Sequence, residues 1–132
     1  MTREDDRPVR LVLDRSALLA YLAGSVHVGE PLHEVIQDRN RFGVTAVTVA
    51  ETLAVVSDPK DRATLHRLLA LDACAVLATD GHSWHELSYW RTLTGRADLA
   101  TTALAVLEHD ASILTGEDRY GDGELPVIRV PG

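Results

Sequence analysis

The sequence predicts a single α/β domain with a mainly parallel sheet of four or five strands and helices on both faces. Two observations carry this. Short apolar, strand-like runs alternate with stretches of helical periodicity along the chain. Over 132 residues there is no internal repeat, low-complexity tract or linker, and the length suits one domain with a real core.

Each element has a local cause. Leu11 to Leu13 reads as a buried first strand, with Val9 at its start. Ser16 is expected to cap a short helix over 17–23, ended by Gly24. Pro31 suits the first turn of a second helix running to about Arg39. Val44 to Val47 reads as the second strand. Thr48 and Glu51 have capping-box spacing for a third helix that stops before Pro59. Asp61 to Leu71 forms the fourth helix, with Leu65, Leu68 and Leu69 on one face. Ala75 to Ala78 is the third strand, and a helix over about 83–93 ends near Gly95. The clearest helix spans Ala97 to His109, its stripe made of Leu99, Ala100, Ala103, Leu104, Val106 and Leu107. Ser112 to Thr115 is the fourth strand and Val127 to Val130 the fifth. Residues 1–8 are charged and lack the apolar segment of a signal peptide, so a flexible tail is expected there, with the folded domain over 9–132.

Composition narrows the function classes. Hydrophobic content of 45% and charged content of 25% are ordinary for a soluble globular protein. Cys74 stands alone, which rules out a disulfide-stapled fold and points to a reducing compartment, the cytoplasm. No apolar run approaches the roughly 20 residues a membrane span requires. A net charge of −7 argues against gripping nucleic acid through bulk positive charge. It leaves room for a nuclease, because a carboxylate metal site adds negative charge that cations offset. Lys60 is the only lysine, so the cations are almost all arginine, which suits bidentate phosphate contact; codon bias is the simpler explanation of the skew.

Four acidic positions fall at equivalent structural points. Asp14 follows the first strand. Glu51 and Asp98 are placed in the first turns of helices. Glu117 and Asp118 follow the fourth strand. In a parallel α/β sheet, ligand crevices open outside the carboxyl ends of the strands, so these acids converge if the strands are parallel. Asp98 lies opposite the stripe centred on Ala103 and is free to face a cleft. Converging carboxylates suit Mg²⁺ or Mn²⁺, which can acidify a bound water and stabilise charge on a phosphate. Each acid also has a local reading: turn residue for Asp14, capping partner for Glu51, helix-dipole complement for Asp98, polar turn for Gly116–Asp118. The joint placement favours the site.

Other features carry less. His82, His85 and Glu86 lack the further ligands of a zinc set. Trp84, Leu87 and Trp90 read as core or dimer interface, and Cys74 as a packed, inert thiol. The chain has no G-x-x-x-x-G-K-[ST] loop, no G-x-G-x-x-G fingerprint and no G-x-S-x-G elbow. No lysine follows a late strand as in a receiver domain. Ser16 stands where a haloacid-dehalogenase-like phosphatase needs a second Asp.

The segments Leu11-Val-Leu-Asp14-Arg-Ser16-Ala-Leu-Leu, Val44-Thr-Ala-Val-Thr-Val-Ala-Glu51, Ala97-Asp98-Leu-Ala-Thr-Thr-Ala103 and Ala111-Ser-Ile-Leu-Thr115-Gly-Glu-Asp118 resemble, in order and spacing, the PIN-domain family, particularly the VapC-like toxins. The resemblance implies a Mg²⁺- or Mn²⁺-dependent endoribonuclease, a homodimer, and a small antitoxin whose peptide blocks the site. Asp14, Glu51 and Asp98 match the family's first three acids, and Ser16 and Thr115 match polar positions near its site. The chain departs from the family at two places. Arg15 stands where a small residue is common, and either contacts phosphate or pairs with Asp14. Glu117 holds the fourth acid's usual position, with Asp118 one residue on. These departures leave open a second reading, a PIN-like module without catalysis that acts through protein–protein contact.

Overall fold

The computed structural model of the chain describes residues 6–131. Its elements, in chain order, are β1 (Val9–Leu13), α1 (Arg15–Leu22), α2 (Val26–Gln37), β2 (Arg41–Thr45), α3 (Ala46–Val55), α4 (Pro59–Leu69), β3 (Cys74–Leu77), α5 (Trp84–Thr94), α6 (Ala97–His109), β4 (Ser112–Thr115) and β5 (Val127–Arg129). All neighbouring strands pair in parallel, in the order β3-β2-β1-β4-β5, so the α/β reading with five parallel strands holds.

The sheet has apolar residues on both faces, as parallel strands flanked by helices require. One core gathers Val9, Val12 and Ile113 of the sheet with Trp90, Leu99, Ala103 and Val106 of α5 and α6. The other gathers Leu11, Leu13, Phe42, Val44 and Leu114 with Leu18, Val28, Leu32, Leu65 and Leu68 of α1, α2 and α4. Strict alternation would put Val9 with Leu11 and Leu13. The β1–β2 register shifts between Val9 and Leu11, and that irregularity sends Val9 to the same face as Val12.

Several helix starts differ from the sequence expectation, each because a different side chain satisfies the free N–H groups of the first turn. Asp14, not Ser16, caps α1, its carboxylate accepting from Ala17 N. Thr45, not Thr48, caps α3, because β2 runs over Arg41–Thr45 and ends earlier than Val47. Glu51 is therefore the sixth residue of α3 rather than a first-turn residue, and no capping box forms. Asp58 caps α4, with Pro59 at the first helical position. Helix α2 starts at Val26 and carries Pro31 in its interior.

Helix α6 is more central than its stripe implies. Asp98, Thr101 and Thr102 are buried as well as the apolar residues, because α6 packs on β1, α3 and α5, while Leu107 is exposed. Trp90 is core, Leu87 packs beside it, and Trp84 is exposed, its ring stacked on His85. Cys74 lies on edge strand β3, partly buried, its thiol pushed up to about 11 by burial. Residues 1–5 of the expected tail lie outside the described residues. Arg7 donates to the Asp72 carboxylate, and Pro8 O accepts from Arg41 N. No helix among the described residues is long and apolar enough to cross a membrane.

Candidate active site

The sheet order places β1 between β2 and β4, so the chain leaves β1 in one direction and later returns to its other side. Such a switch point opens a crevice at the carboxyl ends of the two central strands. Asp14 follows β1 directly, and Thr115 is the last residue of β4. The candidate site is therefore built at the sheet's switch point.

Asp14 is fully buried. Its Oδ1 accepts from Ser16 Oγ at 2.6 Å and Ala17 N at 3.0 Å. Its Oδ2 accepts from Tyr120 Oη at 2.7 Å and from Thr115 Oγ1. A carboxylate offers about four lone-pair directions, and here the protein fills all of them. Ser16 Oγ also accepts from Gly116 N at 2.8 Å, and Thr115 Oγ1 from Glu117 N at 2.8 Å. Both hydroxyls thus orient Asp14 and hold the loop after β4 against the start of α1. Burial, and then the Asp14 carboxylate, push the Tyr120 phenol far above its ordinary value, so it stays a donor at any working pH.

Asp98, 2% exposed, sits in the first turn of α6. Arg96, the residue before that helix, grips it with two prongs: Nε to Oδ1 at 3.0 Å and Nη2 to Oδ2 at 2.7 Å. The same guanidinium donates from Nη1 to Glu117 Oε2 at 3.0 Å. Burial opposes ionisation of Asp98. The Arg96 bonds, its charge and that of Arg15 together outweigh burial and hold Asp98 below the usual carboxylate range. Arg96 is pushed in the opposite direction, chiefly by its bond to Asp98.

Beneath the acids, buried hydroxyls join α3 to α6. Thr45 Oγ1 lies 2.8 Å from Thr101 Oγ1, Thr48 Oγ1 lies 3.3 Å from Thr102 Oγ1, and Thr101 and Thr102 both donate to Asp98 O at 2.9 Å. These bonds fix the first turn of α6 and hence the direction in which Asp98 leaves it.

Asp14, Asp98, Glu117, Ser16 and Thr115 are thus brought into one network. Of the two acids after β4, Glu117 joins it; Asp118 is exposed and outside it. Glu51 is exposed one turn beyond Thr48, and among the described residues no hydrogen bond or ion pair engages it. Arg15 does not pair with Asp14. It is half-buried, acts on Asp98 through its charge, and its side chain makes no hydrogen bond among the described residues. Arg96 and Tyr120 were not singled out from the sequence. Arg96 stood two residues before an acid at a helix start, and Tyr120 five residues after the Thr that ends β4, which are weak signals.

As arranged, the donors do not fit a divalent metal. Asp14 has no free lone pair, and both oxygens of Asp98 face a guanidinium. Among the described residues no three Asp, Glu, His or Cys side chains stand together as a metal cluster, and no buried side-chain polar atom lacks a partner.

A five-stranded parallel sheet with Asp14, Asp98 and Glu117 joined in one network at its central switch point defines an α/β domain with an acidic candidate site. A family model of the PIN domain matches residues 11–122, and the chain belongs to the PIN-domain family. Its fold is similar to that of VapBC2 from Rickettsia felis, solved bound to a DNA fragment from its promoter: TM-score 0.72, 12% identity, 92% of this chain and 98% of that one covered. It is also similar to FitAcB from Neisseria gonorrhoeae: TM-score 0.64, 19% identity, 90% and 96% covered. A sequence comparison with curated proteins gave no match.

Proposed function

We propose that the chain is the endoribonuclease toxin of a toxin–antitoxin pair, cleaving RNA phosphodiester bonds in the cytoplasm as a homodimer. One observation carries the reading: Asp14, Asp98 and Glu117, three acids of the family's pattern, are drawn into a single hydrogen-bonded network at the sheet's switch point. The resemblance brings Mg²⁺ or Mn²⁺ with it. Because the donors as arranged do not fit such an ion, the proposed roles rest on the chain's own groups. Arg15, whose side chain makes no hydrogen bond among the described residues, contacts an RNA phosphate. Glu51, exposed and unpaired, accepts a proton from the attacking water. Asp14 and Asp98 set the cleft's shape and field. An antitoxin segment rich in basic residues would suit a chain of net charge −7.

The test is cleavage of structured RNA by the purified chain, alongside Glu51→Gln, Arg15→Ala and Asp14→Asn, in magnesium and in manganese. The reading requires cleavage by the native chain and its loss in Glu51→Gln and Asp14→Asn. The saturation of Asp14 and Asp98 favours a second reading, a module that acts only through protein contact. An inactive native chain that still captures an antitoxin-like partner would select it.

A further inference from the structure

We propose that Arg96 is a built-in counter-ion to Asp98 and Glu117 that holds the acidic site in a metal-excluding state. The inference rests on the nuclease reading only in taking Asp98 and Glu117 as site acids.

Three facts support it. Arg96 commits three of its five donors, two to Asp98 and one to Glu117, and so lies between the two carboxylates and neutralises both. It precedes α6, where the helix dipole disfavours positive charge, so the two carboxylates, and not the backbone field, keep it there. Its side chain is 26% exposed, against 3% for Asp98, so the guanidinium can leave towards solvent while the acid stays in place. Arg15 bears on Asp98 only through its charge, and Arg119 reaches Glu117 at a looser 3.8 Å. Neither occupies the gap between the acids. A bidentate guanidinium matches carboxylate geometry closely, so a cation must compete with a well-made pair rather than fill an open cluster.

Arg96 thereby sets metal affinity.

The experiment is manganese binding to the purified chain, by calorimetry and by thermal melting, for the native protein, Arg96→Gln and Arg96→Lys. The native chain should show little or no stabilisation by manganese. Arg96→Gln should bind at least about tenfold tighter and melt higher in its presence, since a ligand of the folded state stabilises by mass action. Arg96→Lys keeps a cation but loses the two-pronged contact, and should bind manganese with intermediate affinity. If Arg96→Gln folds only when manganese is present, that dependence is itself the expected result. Native protein that binds as tightly as both variants overturns the inference, and so do variants that gain nothing. RNA cleavage followed on the same samples separates the two claims. Manganese gain without cleavage removes the nuclease reading alone. Native protein that cleaves RNA and binds manganese as well as Arg96→Gln removes this inference alone.

Discussion

Replacing Tyr120 by Phe removes a single oxygen, the hydroxyl, and leaves the buried ring in place. The lost group donates to Asp14 Oδ2 at 2.7 Å, between an acid with no solvent exposure and a tyrosine only 3% exposed. Water has no direct access to replace it, so one lone pair of a buried carboxylate is left without a partner. A hydrogen bond to a charged group is worth about 1.5–3 kcal/mol, and the buried setting puts this one near about 2 kcal/mol. Spread over the unfolding entropy of a 132-residue domain, that loss lowers Tm by about 7 °C. The assay is thermal and urea unfolding of both proteins at neutral pH, with m unchanged as a check that the native state is the same. Tyr89→Phe is the control. That hydroxyl is exposed, its contact with Glu124 is 3.5 Å long, and its removal should cost almost nothing. A Tm loss below about 2 °C for Tyr120→Phe would refute the claim that Asp14 depends on the phenol.

Asp98→Asn should destabilise by about 2 kcal/mol at neutral pH, since it removes one of the two Arg96 contacts and leaves Glu117 as the charged partner of that guanidinium. Because the folded pKa of Asp98 is depressed, its stabilisation is present above the ordinary value of 3.8 and is lost as pH falls through the lower folded value; urea unfolding across that range should show a step in the native protein that the Asn variant lacks. Cys74, with its thiol raised to about 11, should alkylate slowly at pH 8 in the native protein and rapidly in urea, as read by mass spectrometry. Asp110 ends α6 at φ 53°, in the left-handed region, so Asp110→Gly should raise stability by about 0.5 kcal/mol in the same unfolding assay.

The elements most legible in the sequence were those whose local pattern agrees with their burial. β4 and α6 have the expected bounds, because Ile113 and Leu114 form a short β-prone apolar segment closed by Gly116, and α6 is long with a strong apolar periodicity. Helix starts were less legible. Asp14, Thr45 and Asp58 each cap a helix from the strand end or loop just before it, and sequence alone could not say which of several nearby polar residues would turn back to the free N–H groups. The apolar stripe of α6 is buried or partly buried as expected except at Leu107, but burial extends to polar residues for a related reason. Thr101 and Thr102 look polar in one dimension, yet they are buried because their hydroxyls bond the Asp98 carbonyl and the threonines of α3.

By itself the sequence determined an α/β domain of the PIN family and placed Asp14 directly after the first strand and Asp98 in the first turn of α6, because these two lie at the ends of strongly patterned elements. Only the tertiary structure decided what those acids do in the folded chain. Tyr120 is 106 positions from Asp14 and Glu117 is 21 positions from Arg96, and no local pattern encodes a pairing over such distances. Once the sheet order brings the ends of β1 and β4 together, Asp14 is enclosed by hydroxyls and Asp98 by a guanidinium, because a buried carboxylate must be compensated by whatever donors the fold has put beside it.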